Sequence, residues 1–230
     1  MGSAGDNNDF PRTIAEARGT RYWPMVKDTL ESEIRGKFVD NRAWDVVPRL
    51  SDRRIVKSKC VLRFFLNEDG SVARVKARLV ACGYSQIEGQ DYTEVFAATL
   101  RAVNFRLFCC LVATWDWDTD LIDAVKAFTQ SDVDADIYVE MPDGFSVPGY
   151  VLKLRKALEG IKQGAHLWFK KNKQALESVG FKPSLTEPNI YRHSQYDIIV
   201  VVFFDDIIAG LAPRLLGCIS TRQRRVCIAN

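Results

Sequence analysis

Residues 197–210 read Asp-Ile-Ile-Val-Val-Val-Phe-Phe-Asp-Asp-Ile-Ile-Ala-Gly. Two apolar runs rich in β-branched residues flank a pair of adjacent carboxylates. The first run, Ile198 to Phe204, has the composition and length of a strand. Ile207 to Leu211 fits the returning strand, which puts Asp205 and Asp206 at the tip of a tight hairpin with a buried body. Charges held at the end of an apolar ribbon cost desolvation energy unless something neutralises them. A divalent cation does so, and hard cations such as magnesium prefer carboxylate oxygen. Asp-Asp is also ordinary turn chemistry, so this stretch alone leaves both readings open.

The 230 residues, 47% of them hydrophobic, suffice for one large domain or two small ones and exclude wholesale disorder. No apolar run reaches the length of a membrane span. Met1 to Asp9 is small and polar, unlike a secretory leader. Six cysteines without C-x-x-C spacing and only two histidines argue against zinc and for reduced thiols in an intracellular protein. Charge is unevenly spread. Residues 52–82 carry eight Lys/Arg against three Asp/Glu, 114–144 nine acidic residues against one Lys, and 153–174 seven Lys/Arg against one Glu. Basic blocks around an acidic one suit an anionic polymer held about a metal centre, although charge runs also form plain solvated faces.

Val26, Leu30, Ile34 and Phe38 recur at helical spacing, predicting a helix over 26–41. Trp44 to Pro48 is extended. Residues 55–66 and 72–82 bracket Asn67-Glu68-Asp69-Gly70, a hairpin signal. Alternation on its second strand puts Val72, Arg74, Lys76 and Arg78 on one face, its three cations turned to phosphate or to solvent. Residues 97–115 read as a helix capped by Thr99, with Leu100, Val103, Leu107, Cys110 and Leu111 inward. Leu121 to Phe128 reads as a short strand in which Asp123 needs a partner. Strands over 137–141 and 150–154 precede a helix over 163–179 that buries Leu167, Trp168, Leu176 and Val179 and stops at Gly180. Helices alternating with antiparallel hairpins predict an α+β fold.

Asp123 with Asp205 and Asp206 makes a set of three carboxylates, the ligands that two-metal phosphoryl transfer needs. In that setting the sequence resembles the reverse transcriptase domain of copia-type LTR retrotransposons. Six motifs carry the resemblance in family order from Trp23 to Gly210. Residues 76–86 read KARLVACGYSQ and 89–97 read GQDYTEVFA. Asp123-Ala124-Val125-Lys126-Ala127-Phe128 resembles the first palm motif. Residues 137–145 read IYVEMPDGF, residues 157–163 ALEGIKQ with Trp168 following, and Phe203-Phe204-Asp205-Asp206 stands where the family has YVDD. The resemblance implies a right-hand polymerase, fingers and palm, with an antiparallel palm sheet, packed helices and the thumb missing. It implies RNA- and DNA-templated DNA synthesis from dNTPs on a template-primer with two Mg2+ ions. By position, Asp123, Asp205 and Asp206 become metal ligands and Phe128 the steric gate against a ribose 2′-OH. Lys76 and Arg78 become contacts to triphosphate or template, and Gln163 a nucleotide and template contact. Each has a plainer alternative: a core aromatic for Phe128, surface charges for Lys76 and Arg78, a solvent-facing helix start for Gln163.

The sequence departs from the family at Cys60 and Leu62, where KWVF is usual, at Ala98, at Glu159 and at Phe203. These departures, with a tail unlike the family, suggest a truncated copy lacking the thumb and RNase H segments, with RNase H and integrase segments elsewhere in its polyprotein. The expected division is a flexible segment over 1–22, the reverse transcriptase domain over 23–211 and a basic tail over 212–230. A cytoplasmic particle or the nucleus is the implied location. The competing readings are a non-catalytic remnant that binds nucleic acid and a two-metal nuclease or phosphatase.

Overall fold

A computed structural model of the chain describes residues 10–36, 41–124 and 126–212, without the Asp123 side chain. In chain order the elements begin α1 (Ile14–Arg18), α2 (Trp23–Arg35), β1 (Trp44–Pro48), β2 (Ile55–Val56), β3 (Ser58–Leu66) and β4 (Val72–Ala81). There follow α3 (Ala102–Thr114), β5 (Asp118–Asp123), β6 (Tyr138–Val139), β7 (Tyr150–Leu154) and α4 (Gly164–Ser178). The last are β8 (Phe181–Pro183), β9 (Ile190–His193), β10 (Ile198–Phe203) and β11 (Asp206–Leu211). The chain is mixed α and β and divides into two units, Met1–Glu94 with Phe128–Gly164 and Val95–Ala127 with Ala165–Asn230.

The first unit holds a four-stranded sheet in the order β1-β7-β6-β2 and the separate β3-β4 hairpin. All pairs are antiparallel except β2 with β6. Alternation along β3 and β4 turns Leu62, Phe64, Val75, Ala77 and Leu79 inward, but the register shifts at Phe65/Leu66 and Val72, expected on the cationic face, packs with the inner core. Most of that inner face packs on Ile14 and Ala17 of α1 and Val26 and Leu30 of α2. Phe10 stacks on Phe64 at 5.0 Å between ring centroids, and Tyr22 meets the same ring edge-on at 5.5 Å. The expected flexible segment over 1–22 is therefore corrected from Phe10 onward. Its aromatic and aliphatic side chains are what cover the back of the hairpin. The helix predicted over 26–41 starts earlier, with Pro24 in the first turn where a missing N–H costs nothing, and ends at Arg35; Phe38 lies outside the described residues.

The second unit is an antiparallel sheet in the order β5-β11-β10-β9-β8. Alternation along its central hairpin feeds two cores. Val200, Val202, Ile207, Ala209 and Leu211 join Leu176 of α4 on one face. Ile199, Val201 and Ile208 join Phe108 and Val112 of α3 on the other. A hairpin covered on both faces reads as a continuous apolar run, as residues 198–211 do. Two expectations shift here. Helix α3 begins at Ala102 with no side-chain cap, and it buries Phe108 while Val103, Leu107 and Cys110 stay exposed. Almost every position of α3 is apolar, so periodicity could not set its phase. The strand expected over 121–128 is β5, which ends at Asp123, and residues 127–130 form a 3-10 turn. Expected strands β1 and β7 and helix α4 are where the sequence put them, and Gly180 ends α4's exit with φ +96°. Cys82, Cys109 and Cys110 are free thiols. Among the described residues no helix is long and apolar enough to cross a membrane.

Candidate active site

Strand β10 pairs with β11 down to Phe203 opposite Asp206, leaving Phe204 and Asp205 as a two-residue turn. Such turns need a positive φ at the first residue or at both. Phe204 supplies it, with φ +54°. A bulky residue held there costs about 1–3 kcal/mol, and strain of this kind gathers at functional sites. The tip rings do not fasten the turn: Phe203 and Phe204 are 47% and 52% exposed and meet each other edge-on. Asp205 is half-buried and Asp206 exposed, so Asp206 begins the strand that the sequence starts one residue later.

Strand β11 also pairs with β5, and the register sets Asp206 directly opposite Asp123. Residues at such positions have Cβ atoms about 4.5–5.5 Å apart, and like charges there repel. The backbone N–H of Ala124 donates to the carbonyl of Asp205 at 3.3 Å, tying the turn to the residue after Asp123. The fold thus brings all three predicted ligand positions to one end of the sheet. The Asp123 side chain lies outside the described residues. Among the described residues no group of three His, Cys, Asp or Glu side chains is arranged to hold a metal.

In the other unit, the open face of β3-β4 carries Lys59, Arg63 and Phe65 on one strand and Arg74, Lys76 and Arg78 on the other. All five cations are exposed. Arg63 stands directly opposite Lys76, and Phe65 opposite Arg74. The Phe65 ring lies under the guanidiniums of Arg74 at 4.2 Å and Arg63 at 5.2 Å. Lys76 and Arg78 are therefore where alternation placed them. Lys59, Arg63 and Phe65 were missed, although their own alternation in β3 marks the same face.

Phe128 is half-buried; a Cβ on Gly164 would stand 3.3 Å from its ring, so the absent side chain makes room for it. For Gln163 the solvent-facing alternative is corrected. It is fully buried, its Oε1 accepting from Gln86 Nε2 at 3.1 Å and its Nε2 donating to the Asp91 carbonyl at 2.7 Å. Gln86 Oε1 accepts from the Lys162 N–H at 2.7 Å, and Lys162 Nζ donates to the Tyr92 hydroxyl at 2.9 Å. Both ends of the Gln163 amide bond to protein, so it holds the loop over 83–92. The glycines of these motifs serve the same junction. The Gly83 N–H donates to the Gly160 carbonyl at 3.1 Å, and a Cβ on Gly83 would sit 2.1 Å from that oxygen.

Residues 41–214 match the family model described as Reverse transcriptase (RNA-dependent DNA polymerase). The chain belongs to the reverse transcriptase family. It is 34% identical over 90% of its length to the retrovirus-related Pol polyprotein from transposon RE1 of Arabidopsis thaliana. It is 31% identical over 78% of its length to that from transposon TNT 1-94 of Nicotiana tabacum. These relatives make it copia-type, and the chain spans 14% of the length of each. The foamy viral protease-reverse transcriptase, solved in complex with double-stranded DNA, is similar at 13% identity and TM-score 0.40, over 79% of this chain and 25% of that one.

Proposed function

We propose that the chain is the RNA-directed DNA polymerase segment of a copia-type Pol polyprotein, adding dNTPs to a primer 3′-OH on an RNA or DNA template. One observation carries the reading: Asp123 stands opposite Asp206, with Asp205 in the adjoining turn. Acidic residues at paired strand positions repel unless a cation relieves them, and carboxylate oxygens suit Mg2+. Asp123, Asp205 and Asp206 would hold two Mg2+ ions, which when bound supply charge stabilisation for the attacking primer oxygen and the departing pyrophosphate.

The cations of β3-β4 present the converse case. Arg63 opposite Lys76 is a like-charge pair that an anion relieves. That face binds nucleic-acid or triphosphate phosphates, with Lys76 and Arg78 among its contacts. The unit carrying it is the fingers, and the unit carrying the carboxylate hairpin is the palm. Phe128 takes the gate role from its place in the motif, five residues after Asp123. Other polyprotein segments, RNase H and integrase, complete the element's cycle in a cytoplasmic particle or the nucleus.

The test is thermal melting of the parent chain and Asp206→Asn with and without Mg2+. Without cation the variant should melt slightly above the parent, because a repulsion is gone. With Mg2+ the parent should gain stability, as any protein does from a ligand bound to its folded state, and the variant should gain little. A parent that ignores Mg2+, with Asp206→Asn no more stable, refutes the metal site and leaves a nucleic-acid-binding remnant. In the full polyprotein, Asp205→Asn should cut primer extension about a thousandfold or more. Phe128→Ala should instead relax discrimination against ribonucleotides.

A further inference from the structure

The turn that carries Asp205 and Asp206 is strained at Phe204 and its two rings lie largely in solvent. Bonds from neighbouring elements reach the turn's backbone. One is the Ala124 N–H to the Asp205 carbonyl, at 3.3 Å. Another is shorter: Trp168 of α4 donates its indole N–H to the Phe204 carbonyl at 2.9 Å.

That second bond falls on the carbonyl of the residue with positive φ. The peptide between Phe204 and Asp205 is the unit whose rotation converts this turn into another, and its oxygen is the handle on that rotation. Helix α4 is itself anchored, since Leu176 lies in the core beneath the hairpin and Leu167 is buried. An indole N–H has no acceptor capacity and no second proton to offer. Its one bond is spent here. Trp168 therefore presents a donor from a packed helix to the strained peptide of the hairpin tip.

We propose that Trp168 is a positioning residue that locks the Phe204–Asp205 peptide and so sets the geometry of the Asp205 and Asp206 carboxylates. The lock is a property of the turn itself; its consequence for cation binding rests on the metal site proposed above.

The experiment compares the 230-residue chain with Trp168→Phe, Phe204→Gly and the double variant. Hydrogen exchange of the segment over 200–208 reads the turn, and electron paramagnetic resonance of free Mn2+ reads cation affinity. Trp168→Phe keeps an aromatic ring and removes the N–H. It should speed exchange at the tip and weaken Mn2+ binding about fivefold, the shift that one net hydrogen bond permits. Glycine accepts the positive φ without strain. Phe204→Gly added to Trp168→Phe should therefore restore most of the Mn2+ affinity, which a general loss of packing could not do. Unchanged exchange at the tip in Trp168→Phe overturns the proposal whatever the cation does. Weakened Mn2+ binding that Phe204→Gly fails to restore also overturns it. If the parent binds no Mn2+ while Trp168→Phe still loosens the tip, the metal site fails and the lock stands.

Discussion

Replacing Gln163 by Leu separates a structural amide from a ligand-binding one. Leucine is close to glutamine in size, so packing around position 163 changes little, and the polar losses dominate. In the native chain Gln86 Nε2 donates to Gln163 Oε1 at 3.1 Å, and Gln163 Nε2 donates to the Asp91 carbonyl at 2.7 Å. Gln86 and Asp91 are only 5% and 3% exposed, so water does not replace the lost partner. A buried donor or acceptor left unsatisfied costs about 1–3 kcal/mol, and there are two, for a total of about 2–5 kcal/mol after recovering some apolar transfer energy. In a domain of this size each kcal/mol lowers Tm by about 2–4 °C, so the expected drop is about 4–20 °C. The assay is thermal unfolding by circular dichroism without nucleotide or nucleic acid. Lys162→Ala serves as the comparison, because the Lys162 side chain is exposed and its backbone N–H keeps the bond to Gln86. A Gln163→Leu chain that melts within a degree of the parent would refute the latch and return Gln163 to the ligand-contacting role read from its motif.

Gly160 should be the least replaceable glycine described. It has φ +91°, and a Cβ would lie 2.1 Å from the Ala81 carbonyl oxygen, whereas Gly70 at φ +79° meets nothing within 4 Å. Gly70→Ala should cost about 1 kcal/mol of backbone strain and Gly160→Ala several times that by urea midpoint, since the backbone of Ala81 must also move; equal losses would refute the close approach. Tyr191 should govern part of the alkaline stability. Burial, with Glu177 nearby, pushes its phenol from 10.0 up to about 12. The folded state then holds a proton that the unfolded chain gives up. The contribution is complete below pH 10 and lost as pH rises towards 12, on the order of 2–3 kcal/mol. Tyr191→Phe should flatten the fall in urea midpoint between pH 9 and 12, and identical slopes would refute the shift.

The hairpin over 198–211 was legible because local chemistry decides it: β-branched runs on both sides leave few options for the residues between them. So were the cations of β4, since a period of two fixes a face once the strand is known, and α4, whose polar and apolar positions alternate at helical spacing. The motif order named the family without any coordinates. Distances along the chain are what defeated the rest. That Asp206 lies opposite Asp123 is a pairing across more than eighty residues, and only the register of β11 on β5 decides it. The solvent-facing alternative for Gln163, at a helix start, rested on polar amides usually lying at the surface. Gln163 is buried because Gln86 and Asp91 arrive from another loop to satisfy both its ends. The N-terminal segment looked flexible because its few aromatics are scattered, and Phe64 of β3 gathers them. Helix α3 is apolar nearly all round, so the sheet beneath it, through Val201 and Ile208, chose which residues to bury. The sequence by itself determined the local elements, the kinds of side chain and the family. Tertiary structure decided which of them meet, because burial and pairing are properties of two segments at once and neither segment encodes them alone.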